Sequence, residues 1–239
     1  MNSAARYATL YKEGKHLMKS FFSKITPLQI IIFLGAWIPL ALIVIDFFTG
    51  RLSINPIQDI EQRTGRLAIL WVVLSLVATP MNSLFKWKEP IKRRRALGLY
   101  GFMYAFIHVT IFVLLDFGFN WKLIINEVLE RNFIIVGTIS FTFLTALAAT
   151  SFNYWKKKLK KNWKRLHATI YVIAPLIVIH YAWAKKGDIF SLQGDIIKPL
   201  IYGIIVIVLL VVRIKPVKKA VASLVSKFTG ALRGRQATA

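Results

Sequence analysis

The chain has 239 residues, 56% of them hydrophobic, and a formal net charge of +23. A soluble domain with that much apolar sequence would need a larger polar shell than this chain supplies. A multispan membrane protein instead keeps its apolar residues in lipid and crowds its cations on one side. The sequence has no cysteine, which excludes structural disulfides, thiolate-ligated clusters and covalent haem attachment through CxxCH.

Residues 1–26 are basic and mildly amphipathic. Tyr7, Leu10, Tyr11, Leu17, Met18 and Phe21 fall on one helical face and Lys12, Lys15 and Lys19 elsewhere. This pattern predicts an interfacial helix on anionic lipid, with His16 as a solvated surface residue. No small-residue cleavage site follows the first apolar run, so the first span is expected to remain as an anchor. About 20 apolar residues cross a bilayer core, and six stretches qualify, near residues 27–48, 66–85, 97–115, 133–152, 167–184 and 197–214. Pro39 and Pro175 lie inside two of them, where neighbouring helices must satisfy the carbonyls that proline frees.

The basic runs KWKEPIKRRR (Lys86–Arg95) and WKKKLKKNWKR (Trp155–Arg165) read as loops. From Lys215 to Ala239, Val217, Val221, Leu224, Val225, Phe228 and Leu232 recur at helical spacing between lysines, which predicts a second surface-lying helix. The segment Asn55–Arg66, with Asp59, Glu61, Arg63 and Gly65, reads equally as a turn capping the second span and as a docking or quinone-pocket element. No internal repeat is recognisable. The expected division is a cytoplasmic interfacial segment (1–26), a six-helix transmembrane domain (27–214) and a basic amphipathic tail (215–239).

Charge sets the expected orientation. Of the 33 Lys and Arg residues, 25 fall in the N-terminal segment, the second and fourth loops and the tail, and eight fall in the odd-numbered loops. Both termini are therefore expected in the cytoplasm. Eight of the ten acids fall on the opposite side. The cations adjoin spans and are not interleaved with stacking aromatics on a soluble face, so nucleic acid is not an expected partner. Membrane lipid is.

Three histidines fall in or at the ends of spans: His108 in the third, His167 and His180 in the fifth. An ionisable group inside a membrane is a functional candidate by default. His108 lies 13 residues beyond Arg95 and His180 lies 13 beyond His167, so on two spans running the same way His108 and His180 reach similar depths. Two facing imidazoles with no cysteine nearby suit the axial positions of a b-type haem. Zinc or copper would want three or four ligands, which these spans do not offer.

His167 is not placed by this reasoning. At its depth the third span offers Arg93, Arg94 and Arg95, and on a straight helix His167 and His180 lie roughly 140° apart in azimuth. The arginines are candidates for haem propionates or a flavin phosphate, or are topology charges alone. Trp163, Trp183, Tyr104 and Tyr171 read as belt or packing aromatics.

NPIQDIEQRTGR (Asn55–Arg66), RRALGLYGFMYAFIHV (Arg94–Val109) and WKRLHATIYVIAPLIVIHYAW (Trp163–Trp183), in this order and spacing, carry a resemblance. Over roughly residues 27–214 the chain resembles the MsrQ/YedZ family, the haem-binding membrane subunit of the bacterial periplasmic methionine sulfoxide reductase system. That family lies within the wider ferric-reductase-like transmembrane group. The resemblance implies a multi-pass b-type cytochrome of the bacterial inner membrane with one or two haems and FMN. It implies electron transfer from the quinone pool or a cytoplasmic flavin reductase to a periplasmic molybdopterin enzyme that reduces methionine sulfoxide in proteins. The family's haem-liganding histidines match His108, His167 and His180, and the resemblance leaves open which two share an iron. No G-x-G-x-x-G follows a strand, so the electron donor is expected to be a separate molecule. Two other readings stand beside this one: a transmembrane ferric or other metal reductase, and a proton-coupled transporter without haem.

Overall fold

The computed structural model describes residues 26–185 and 196–224, and among these the regular structure is entirely helical. The predicted helix over residues 1–25, His16 and the tail beyond residue 224 lie outside the described residues. The chain divides into two compact units, residues 1–44 and 45–239. In the first, α1 (Pro27–Phe48) continues through Pro39 without a break and runs into the second unit at its C-terminal turn.

The second unit is built from hairpins. α2 (Pro56–Phe85) begins where Asn55 caps it: its Oδ1 accepts the Gln58 N–H at 3.2 Å, and Pro56 occupies the first turn, where its missing N–H costs nothing. The Asn55–Arg66 segment is therefore mostly helix. Arg63 pairs with Asp59 (2.9 Å) and Asp46 (2.7 Å), which ties the start of α2 to the end of α1 within this unit. Lys86, in a left-handed conformation (φ 59°), closes α2 with its N–H on the Met81 carbonyl.

α3 (Glu89–Ile111) then runs back along α2, as shown by Trp71 against Tyr100 (5.3 Å between centroids) and Val72 against Gly101. A Cβ at Gly101 would stand 2.9 Å from the Val72 side chain and 3.1 Å from its backbone nitrogen, so only glycine lets the helices cross this closely. The helix widens into a π turn over Phe112–Asp116.

α4 (Trp121–Glu130) is a short helix capped by Asn120, whose Oδ1 accepts the Leu123 N–H at 3.2 Å. It lies in what the apolar pattern presents only as an inter-span loop. α5 (Asn132–Ala149) and α7 (Ile170–Ala184) form the second hairpin; α5 also touches α3, where Phe102 and Phe141 stack at 6.1 Å. Both basic runs predicted as loops are largely helical instead: α3 takes in Glu89–Arg95 of the first, and α6 covers Asn153–Ala168, with an irregular backbone at Lys160. Its lysines repel one another too little in water to prevent a helix whose Trp155, Leu159, Trp163 and Leu166 are half-buried at helical spacing. Thr169 keeps helical dihedrals (φ −59°, ψ −21°) and carries α6 on into α7, so the two form one apolar span, Asn153–Ala184, with His167 and His180 both on it.

α8 (Ile197–Val211) meets a further helix, α9 (Lys215–Leu224), at a bend of 97°. Arg213, at the bend, donates to the Leu76 carbonyl of α2 at 2.6 Å and lies 4.7 Å over the Tyr171 ring. Leu76 stands four residues before Pro80, which has no N–H to offer that carbonyl. The arginine takes the place of the missing donor.

Among the described residues, five helices are long and apolar enough to cross a bilayer: α1, α2, α3 with its π turn, α5, and α6 with α7. Counting α8 and α9 as one bent element gives a sixth. This is a multi-pass membrane protein. Large apolar side chains such as Val172, Ile204 and Ile207 are exposed on the spans, as lipid contact allows.

Candidate functional site

Two histidines meet where the hairpins α2–α3 and α5–α7 lie side by side. His108, in the last turn of α3, and His180, in α7, have ring centroids 6.3 Å apart and ring planes 80° apart. Each is held from behind by a backbone carbonyl of the other helix of its own hairpin. His108 Nδ1 stands 2.9 Å from the Glu61 carbonyl of α2, and His180 Nδ1 stands 2.6 Å from the Phe133 carbonyl of α5. A carbonyl only accepts, so each Nδ1 carries the hydrogen and donates it. Each Nε2 is then left with its lone pair, which is the state of a metal-binding imidazole.

The spacing fits a shared ion. Metal–nitrogen bonds of about 2 Å on either side of one centre put facing imidazole centroids about 6 Å apart. The pair opens into a cavity of about 490 Å³, within the roughly 300–1,000 Å³ of small-molecule and cofactor sites. Ile69, Val72, Phe112, Phe141, Leu144 and Ile177 supply apolar walls. Gln58, Gln62, Arg66, Glu127, Arg131 and Lys185 also line it, around the ends of α2, α4 and α7. Arg131 pairs with Glu127, and Lys185 donates to Gln62 at 2.7 Å.

The third histidine is placed elsewhere. His167 ends α6, stacked on Trp163 at 4.1 Å, with Nε2 3.2 Å from the Thr150 hydroxyl. That hydroxyl is 2.6 Å from the Ala146 carbonyl, which takes its one hydrogen, so His167 Nε2 must be the donor to Thr150. Trp163 Nε1 donates to the Thr150 carbonyl at 2.9 Å and completes a compact cluster. Arg93, Arg94 and Arg95 stand in the first turns of α3, toward the opposite end of that helix from His108. None of them lines the cavity, and the Arg95 guanidinium lies 5.0 Å over the Phe152 ring. The structure thus brings His108 and His180 together and leaves His167 and the three arginines apart from them.

The carbonyls of Glu61 and Phe133 escape sequence reading, because every residue has one. The only available signal was that Glu61 lies in the Asn55–Arg66 segment. Among the described residues, no group of three or more His, Asp and Glu side chains is arranged to hold a metal ion. The donor set at this site is two imidazoles.

Comparison with known proteins gives concordant matches. Residues 64–178 match the family described as ferric reductase like transmembrane component. A protein-methionine-sulfoxide reductase heme-binding subunit MsrQ from Herminiimonas arsenicoxydans is 37% identical over 192 residues, covering 80% of this chain and 86% of the relative. The protein of the same name from Cronobacter sakazakii (strain ATCC BAA-894) is 35% identical over 203 residues, 84% of this chain and 98% of the relative. Another, from Xanthomonas euvesicatoria pv. vesicatoria (strain 85-10), is 40% identical over 141 residues, 59% of this chain and 65% of the relative. No solved structure matches the chain.

Proposed function

The chain belongs to the MsrQ family of protein-methionine-sulfoxide reductase heme-binding subunits, and from that premise we propose that it is a b-type cytochrome subunit of the bacterial inner membrane. In this reading it delivers electrons to a periplasmic molybdopterin enzyme that reduces methionine sulfoxide in proteins. The observation that carries the reading is the facing pair His108 and His180, each with Nδ1–H donated to a carbonyl. Two imidazole nitrogens would suffice only for a metal that brings its remaining ligands with it, as haem iron does. Haem bound there would supply one-electron chemistry.

The protein's part is to hold and insulate. His108 and His180 present Nε2, and the carbonyls of Glu61 and Phe133 fix their tautomers and make the rings more basic. The apolar wall keeps water from the centre. Among the cavity cations, Arg66 is the first candidate for a propionate, since Arg131 and Lys185 already have partners. Arg93, Arg94 and Arg95 remain candidates for a flavin phosphate, with FMN as a second cofactor, and His167 for a second or alternative axial position. The basic residues from the end of α2 through the first turns of α3, and those along α6, face the cytoplasm in this reading, by the positive-inside rule. The histidine pair then lies toward the periplasm, where the partner enzyme works. Quinol or a cytoplasmic flavin reductase is the electron source.

The test is haem content. Protein purified from haem-replete cells should be red, with a Soret band that shifts on dithionite reduction, and His108→Ala and His180→Ala should each lose most of it. Full haem in both variants, measured as pyridine haemochrome per polypeptide, would sink the ligand assignment. The matching ferric-reductase-like family favours one second reading, a transmembrane ferric reductase. Co-purification of a soluble periplasmic molybdoprotein separates the two.

A further inference from the structure

We infer that Gly65 and Gly137 are positioning residues for the histidine pair: each uncovers the carbonyl that orients one imidazole and leaves the space in which that ring sits. The inference rests on the proposed reading that His108 and His180 share one haem iron.

The two hairpins repeat one arrangement. His108 bonds a carbonyl 47 residues earlier, and so does His180. In both cases a glycine follows that carbonyl residue by one helical turn: Gly65 after Glu61 and Gly137 after Phe133. The offset has a physical cause. A helical side chain leans toward the N-terminus, so the residue at i+4 covers the carbonyl of residue i. Glycine at i+4 leaves that carbonyl open to an outside donor while its own N–H still closes the helical turn.

The imidazoles fill the vacated space. A Cβ at Gly137 would stand 2.6 Å from His180 Cε1 and 2.7 Å from its Nδ1, a separation real Cβ atoms do not show. A Cβ at Gly65 would stand 3.3 Å from both Cε1 and Nδ1 of His108. The first ring must move if alanine is introduced; the second must yield a few tenths of an ångström. Gly98, on the same helix as His108, has nothing within 4 Å of its built Cβ. Gly101 differs again, since its Cβ meets Val72 and neither histidine.

These contacts rank the variants. Alanine is the better helix former, so loss of haem would not come from a weakened helix. Disturbing a ligand's orienting shell costs about 10- to 100-fold in metal affinity. That range is expected for Gly137→Ala and less than about tenfold for Gly65→Ala. A second readout follows from the ring planes, which lie 80° apart. The relative orientation of two imidazoles on one low-spin ferric iron would set the anisotropy of its electron paramagnetic resonance signal, so rotating one ring alters it.

The experiment compares full-length Gly137→Ala, Gly65→Ala and Gly98→Ala in detergent by haem titration, ferric resonance spectrum and melting temperature. Support is a depleted or spectrally shifted Gly137→Ala, a smaller shift in Gly65→Ala and a parental Gly98→Ala. Parental affinity and parental g values in Gly137→Ala would overturn the inference, and so would an equal spectral change in Gly98→Ala. If Gly137→Ala does not accumulate, Gly65→Ala decides in the same way: a shifted signal supports, a parental one overturns. Full haem in His108→Ala and His180→Ala would overturn the ligand reading itself. Failure of the glycine variants alone leaves that reading intact.

Discussion

The hairpin-crossing end and the basic end of the helical unit both hold histidine, and they hold it in opposite protonation patterns. At the crossing of α2–α3 with α5–α7, His108 and His180 give their Nδ1–H to main-chain carbonyls and keep Nε2 unprotonated. At the end of α6, His167 gives its Nε2–H to Thr150, whose own hydrogen goes to the Ala146 carbonyl. One arrangement exports a lone pair into a cavity; the other closes on itself under a tryptophan ring. Histidine in a membrane helix is therefore informative only together with the atom behind it. A carbonyl at Nδ1 primes the ring for metal, whereas a hydroxyl whose hydrogen is already given away occupies Nε2.

The largest effect that could break this contrast is on haem binding. His108→Ala or His180→Ala should each lower haem per polypeptide about tenfold or more, read by pyridine haemochrome. His167→Ala should keep the low-spin resonance of the His108–His180 pair; its loss there would mean that the basic end also feeds that iron.

A smaller effect, on stability, sharpens the contrast from the other side. Arg213→Leu leaves the Leu76 carbonyl without its outside donor and should cost about 1–3 kcal/mol, seen as a lower melting temperature at unchanged haem spectrum. Pro80→Ala restores an N–H four residues after Leu76, so the double variant should recover most of that loss. An additive double variant would show that the arginine acts through its other contacts, the Tyr171 ring and the Leu209 carbonyl. Trp163→Phe removes one hydrogen bond, to the Thr150 carbonyl, at a cost of about 1 kcal/mol. Asn55→Ala removes the α2 cap at about the same cost. Both are measured by thermal melts, and neither should move the Soret band.

Much of this was legible in the residues. Apolar runs marked the spans because lipid demands about 20 such residues in a row. His108 lies 13 residues beyond Arg95 and His180 lies 13 beyond His167, a depth argument that needs no side-chain detail. The helix at Asn153–Ala168 was hidden because its lysines mask a sparse set of half-buried aromatic and leucine side chains. The amphipathic α4 was hidden because ten residues are too few for a span and too many for a turn. The repeated geometry of the two hairpins stayed invisible for a different reason. Glu61–Gly65 and Phe133–Gly137 share only their glycine, and what they have in common is a main-chain oxygen that meets an imidazole. His167 and His180 share one helical run, Asn153–Ala184, and their different azimuths go with different neighbours: His180 meets His108, and His167 meets Thr150.

The bond between Arg213 and Leu76 spans 137 residues of chain. α2 therefore leaves the ribosome long before the side chain that completes it exists, and its proline-freed oxygen waits during biogenesis for the arrival of the final hydrophobic helix. In hydrocarbon an unanswered carbonyl is costly, so quality control has something to sense. A chain truncated ahead of residue 213 carries the whole histidine pair and yet exposes an unfinished second helix.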